Sequence, residues 1–162
     1  MSPTSHTGGC QCGAVRFRVT RLGRPSICHC RMCQKAFGNF YAPLVGGPMD
    51  SFEVTRGEIA LFRSSDKVER GFCRDCGTPL SFNHVGGHWM SVSIGSLDTP
   101  EAFPPRDQHG AESRLSWVNN LGSLPDVAPI DERHPETAAF IRATSHQHPD
   151  HDTETWPRES AP

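Results

Sequence analysis

Seven cysteines fall in three tight groups: Cys10-Gln11-Cys12, Cys28-His29-Cys30-Arg31-Met32-Cys33, and Cys73-Arg74-Asp75-Cys76 followed by Gly77. Such short spacings bring the sulfurs of one group onto a single metal ion. Thiolate is the ligand zinc prefers, and a closed structural zinc takes four ligands, usually from two chelating groups far apart in the chain. If each group stays whole, only Cys10, Cys12, Cys73 and Cys76 make four, because the triple added to either pair makes five. Cys28, Cys30 and Cys33 remain as three, and three protein ligands leave a fourth position for water or a substrate atom, which is what separates catalytic from structural zinc. The expectation is two Zn2+ per chain, one closed and one open.

Three other readings compete. A histidine can close the second site: His29 lies between two of its ligands, and His84, His88 or His109 can reach it from elsewhere. His84 and His88 have helical spacing, but Gly86-Gly87 between them signals a hairpin and makes both loop residues. A disulfide framework would leave one of the seven thiols over, in a chain without a secretion signal. Ordinary buried thiols are common, yet three clusters at ligand spacing argue against that origin.

The remaining sequence reads as short strands. The stretch 13–19, GAVRFRV, alternates Val15, Phe17 and Val19 with Arg16 and Arg18, the period of a half-buried strand. Further strands are expected at 40–45, 51–55, 59–63, 69–73, 78–83 and 88–94, divided by turn signals such as Gly46-Gly47-Pro48. Helix is expected at 30–37, stopped by Gly38, and at 136–144, with Pro135 as first residue. With 162 residues, the chain fits one core domain, and its 35% apolar content is modest enough for metal sites to contribute to folding.

Sixteen basic residues face eighteen acidic ones, for a formal charge of -2. No dense basic run is present to neutralise phosphates, so nucleic acid is excluded as a main partner. No stretch approaches the ~18 apolar residues of a membrane span, and the start of the sequence lacks a signal-peptide pattern, so a soluble, cytoplasmic protein is expected. The tail carries His146, His148 and His151 beside Asp150 and Asp152, either a further metal site or lid, or simply a solvated terminal segment.

The motifs GGCQCGAVRF, CHCRMCQKAFG and FCRDCGTPL, in that order, resemble those of the glutathione-dependent formaldehyde-activating (GFA) family, which also includes centromere protein V-like proteins. The later FPPRDQHGAESRLSW resembles its C-terminal strand region, so the likeness runs from about Gly8 to Trp117. The resemblance implies a mainly β, Mss4-like fold of small twisted antiparallel sheets clamped by zinc, with few short helices. It places structural zinc ligands on Cys10, Cys12, Cys73 and Cys76 and catalytic ones on Cys28, Cys30 and Cys33. The organisation expected is a GFA-like zinc-binding domain over 1–130 and a C-terminal extension over 131–162, a short helix then a polar tail.

The activity implied is that of a zinc-dependent carbon–sulfur lyase or synthase, resembling S-(hydroxymethyl)glutathione synthase. A small thiol such as glutathione would add to formaldehyde or another small aldehyde. Three thiolates make zinc a weak Lewis acid, so thiolate delivery ranks ahead of carbonyl polarisation. His29 is the candidate general acid, with a purely structural role as its alternative. Arg31, Lys35 and Arg74 can form an anion-binding rim for glutathione or remain solvated charge. Phe37, Phe40, Phe72, Phe82 and Trp89 read as packing. The alternative function is a non-catalytic, zinc-stabilised binding module, and the sequence leaves the oligomeric state open.

Overall fold

Short β-branched and aromatic runs punctuated by glycine and proline build two sheets in a computed structural model that describes residues 5–156. The first sheet is antiparallel and orders β1 (His6–Gly9), β2 (Arg16–Val19) and β5 (Phe52–Arg56). The second has seven strands. Across it run β10 (Asp107–His109), β3 (Ser26–Cys28), β4 (Ala42–Pro48), β9 (Trp89–Ser93), β8 (Pro79–His84), β7 (Val68–Phe72) and β6 (Ala60–Ser65). The expected class, mainly β with few short helices, is the one observed. One pair departs from the antiparallel rule, since β10 runs parallel to β3.

The register puts the sites where the core is. Val45 faces Val92 across β4 and β9, Ser81 faces Val92 across β8 and β9, and Leu80 beside it is fully buried. Phe17, Val45, Leu80, Val92 and Leu97 form the main core, and Cys10 and Cys73 are members of it. Burying each large apolar side chain stabilises the fold by about 1.5–3 kcal/mol. A second, smaller cluster gathers Cys33, Ala42 and Leu44, with Cys28, Cys30 and Phe37 against it.

Helix α1 (Arg31–Phe37) follows the second cysteine group as expected. The Cys30 sulfur accepts from the Cys33 amide at its start, and Gly38 ends it in the left-handed conformation, φ +57°, which glycine adopts without a Cβ penalty. Toward the C-terminus, α2 (Ile130–Arg133) precedes α3 (Pro135–Ala143), whose first residue is the expected proline. Among the described residues no helix is long and apolar enough to cross a membrane.

Alternation misjudged two places. The strand expected over 13–19 begins only at Arg16, because the preceding residues close a turn in which the Cys10 amide donates to Val15 O at 3.0 Å. Arg16 does not share the solvent face of Arg18 either. It is 3% exposed and donates to Asp98 at 2.8 Å through Nη1 and to Asp152 at 3.0 Å through Nε. The 98 loop and the tail cover that face, and the guanidinium is tolerated there because carboxylates meet it.

Replacing Asp98 by Ala leaves the buried Arg16 cation with Asp152 as its remaining carboxylate partner and is expected to cost about 1.5–3 kcal/mol in urea unfolding of the zinc-loaded protein at neutral pH. Burial by itself raises the Asp98 carboxyl, but Arg16 and Thr7 hold it below the ordinary carboxylate range. A depressed value means that this stabilisation is complete above about pH 4 and is lost as pH falls through the native value. The difference between wild type and Asp98→Asn should therefore shrink on acidification.

Candidate metal centres

Cys10 and Cys12 leave the turn after β1, and Cys73 and Cys76 leave the end of β7, so two knuckles meet across the main core. The four sulfurs lie within 4.8 Å of one another. Cys10 and Cys12 sulfurs are 3.6 Å apart, and Cys12 and Cys73 sulfurs 3.9 Å. Tetrahedral zinc with bonds near 2.3 Å sets ligand sulfurs about 3.8 Å apart, whereas a disulfide needs about 2.05 Å. All seven thiols are free. Gly77 makes the second knuckle, turning at φ +76° while its amide donates to Cys73 O at 2.9 Å. The Val15 amide donates to the Cys10 sulfur at 3.2 Å, and Thr78 Oγ1 lies 3.1 Å from that of Cys76.

The second group forms where β3 passes into α1. Cys28, Cys30 and Cys33 sulfurs also lie within 4.8 Å of one another. Among the described residues no histidine or carboxylate joins them, so His84, His88 and His109 do not close the group. His109 serves instead through its carbonyl, which accepts the His29 amide at 2.8 Å.

Electrostatics favour a metal at both places. Burial raises the Cys12 and Cys28 thiols to about 12 each, with neighbouring sulfurs adding to the rise. Burial raises Cys76 too, but contacts from Thr78 and the Cys12 amide outweigh it and bring that thiol down to about 6. Cys30 is likewise lowered against its burial, by the Cys33 amide and the Cys33 and Cys28 thiols. Without a cation, each cluster sets a thiol that is lowered, Cys76 or Cys30, beside one that is raised, Cys12 or Cys28. A thiophilic dication such as zinc removes that conflict, so the donor sets fit the metal.

His29 is 0% exposed, its Nε2 lying 3.0 Å from Gln108 Oε1, with Nδ1 lacking a hydrogen-bond partner and Tyr41 edge-on to the ring. Enclosed on all sides, the ring is placed as the structural alternative would have it. Gln34 locks the same turn, donating to His29 O at 2.7 Å and to Ser113 O at 3.0 Å. Arg31 pairs with Gln34 at 3.2 Å, and Arg74 is exposed.

Arg70 escaped the sequence reading. It sits on β7, is 8% exposed, and donates to the Cys33 sulfur at 3.5 Å while its guanidinium lies 5.0 Å from the Phe82 ring centre. No spacing rule connects residue 70 to residue 33; only the sheet brings them together.

The tail, one of whose readings was a solvated segment, is docked through its described part. His148 is 4% exposed, its amide donates to Gln11 O at 2.7 Å, and Nε2 lies 3.1 Å from Thr153 Oγ1. Trp156 Nε1 donates to Cys12 O, and Arg56 donates to Thr153 O. Burial pushes the His148 ring below its ordinary value, with Arg16 and Arg56 acting the same way. The three tail histidines join no metal-sized group among the described residues.

Residues 5–112 match the family described as glutathione-dependent formaldehyde-activating enzyme. A protein of Halomonas elongata named "Putative glutathione-dependent formaldehyde-activating enzyme" is 30% identical over 122 residues, covering 68% of this chain and 78% of that protein. An uncharacterized lyase of Schizosaccharomyces pombe is 27% identical over 90 residues, 51% of this chain and 60% of its own. A crystal structure of a Rhodobacter sphaeroides protein superposes with a TM-score of 0.53 at 22% identity, over 63% of this chain and 98% of that one, a likeness of fold.

The two clusters should behave differently on mutation. Cys73→Ser removes a ligand inside the main core and is expected to abolish cooperative unfolding, since metal binding of this kind carries roughly 10–16 kcal/mol of folding free energy. Cys30→Ser should stay folded by circular dichroism and lose half of the zinc that elemental analysis finds in anaerobically purified wild type.

Proposed function

The chain belongs to the glutathione-dependent formaldehyde-activating family, and from that premise we propose that it adds a small thiol such as glutathione to formaldehyde or another small aldehyde, and runs the reverse lysis, at the three-cysteine centre. The family and the names of its relatives support a lyase-like enzymatic role. The observation that carries the finer reading is the ligand count: three converging sulfurs with no fourth protein ligand among the described residues. Zinc held by Cys28, Cys30 and Cys33 would supply an open position and a charge that favours the ionised form of an incoming thiol.

The protein's own groups set the rest. Three thiolates around a dication leave one negative charge in excess, which Arg70 offsets from beside Cys33. His29, with Gln34 and Gln108, keeps the turn carrying Cys28 and Cys30 in place and excludes water behind it. In the addition the thiol sulfur bonds to the carbonyl carbon, the carbonyl π bond opens, and the proton lost by sulfur ends on oxygen. No oxidant or reductant is needed. Because His29 has no exposed surface, solvent water delivers that proton.

Exchange NMR of glutathione, formaldehyde and their adduct tests the reading. Zinc-loaded wild type should accelerate exchange above the uncatalysed rate, and Cys30→Ser should lose roughly 100-fold or more, since changing even outer-shell partners of a metal costs 10–100-fold. In cobalt-substituted protein, glutathione should alter the sulfur-to-metal absorption of wild type and leave that of Cys30→Ser unchanged. Exchange indifferent to Cys30 would leave a zinc-stabilised binding module instead.

A further inference from the structure

A cavity of about 410 Å³ opens between α1 and the outer strands of the seven-stranded sheet. Its walls are mostly apolar: Phe37 from α1, Phe62 from β6, Phe72 from β7 and Pro79 from β8. Lys35 and Arg70 also line it, and no acidic side chain does. Phe62 is 61% exposed on an edge strand, an aromatic ring left beside a hollow.

Two residues join this cavity to the three-cysteine centre. Phe37 packs in the cluster that holds Cys28, Cys30 and Cys33. Arg70 reaches the Cys33 sulfur at 3.5 Å, and its Nη1 is buried without a hydrogen-bond partner. Among the described residues no cysteine lines the cavity itself, but a group entering it meets Arg70 and Phe37, which in turn touch the three-cysteine cluster.

The size and the lining decide what kind of group. A water occupies about 30 Å³ in the liquid, so a hollow of about 410 Å³ has room for roughly fourteen of them, and formaldehyde with its two heavy atoms would leave most of it wet. Glutathione, with its carboxylates, ammonium and peptide groups, finds polar partners here only in Lys35, Arg70, Ser64 and Ser81, and would set the rest of its polar surface against phenyl rings that cannot hydrogen-bond it. An apolar body releases water from the walls and matches pockets of this size in other enzymes.

We propose that this cavity is the subsite for the body of the carbonyl partner, and that the body is aromatic or branched aliphatic, the class of phenylacetaldehyde rather than formaldehyde. The inference rests on the thiol addition proposed above and names its second substrate. The bond changes are the same: sulfur to carbonyl carbon, proton to oxygen.

The test uses zinc-loaded full-length protein and two readouts. Phenethyl alcohol, the unreactive analogue, is titrated by NMR and should shift the amides of Gly71 and Phe72, and Phe62→Ser, a change at an exposed position, should weaken that binding. In exchange measurements with glutathione, the ratio of kcat/KM for phenylacetaldehyde to that for formaldehyde should favour the aromatic aldehyde and fall about tenfold in Phe62→Ser, within the range for a lost apolar contact. Absence of shifts in the cavity overturns the subsite. Formaldehyde turnover with a ratio indifferent to Phe62 overturns the subsite and leaves thiol addition standing. No turnover with any aldehyde overturns thiol addition and the subsite together.

Discussion

Four sulfur atoms brought within 4.8 Å of one another at the border of the main core, two of them inside it, are the constraint on which the rest of the molecule depends. Cys12 and Cys73 are 61 residues apart, and their meeting ties the start of the small sheet to the end of β7 in the large one. A chain with only 35% apolar residues buries a limited hydrophobic area, so a crosslink at this point replaces packing that the composition does not provide. The crowded thiols also repel one another as they ionise, a conflict that a bound cation would relieve.

The three-cysteine centre inherits its shape from that frame. Its sulfurs belong to or pack against a smaller cluster, carried by β3 and the capped start of α1, and the sheet delivers Arg70 from β7, on the far side of β4, β9 and β8. One cluster is folded into the main core and the other is left at its margin. The proposed division into a structural and a reactive centre rests on that difference in position and on the number of sulfurs, four against three.

The cysteine partition was legible because ligand spacing is a local property and counting does the rest. The helix after Cys30 was legible for the same reason, with its cap and its terminal glycine both adjacent in sequence. Arg16 and Arg70 were not, because each is buried by a partner far along the chain, Asp98 in one case and Cys33 in the other. Strands β1, β3 and β10 carry no alternation of their own; HTGG, SIC and DQH become strands only because a neighbour offers hydrogen bonds. The docking of His148 and Trp156 was hidden for a further reason: polar composition predicts solvation, and here the polar groups find partners on Gln11, Arg56 and Cys12.

Gly77, next to Cys76, and Pro79, three residues after it, stand in the wall of the apolar cavity. The closed centre thus holds one side of the space next to the open one. With zinc in the four-cysteine group, its removal would loosen that wall, so loss of activity on chelation would not by itself assign the reaction to the three-cysteine group. The two centres share a partition, and damage on either side of it reads out in the same room.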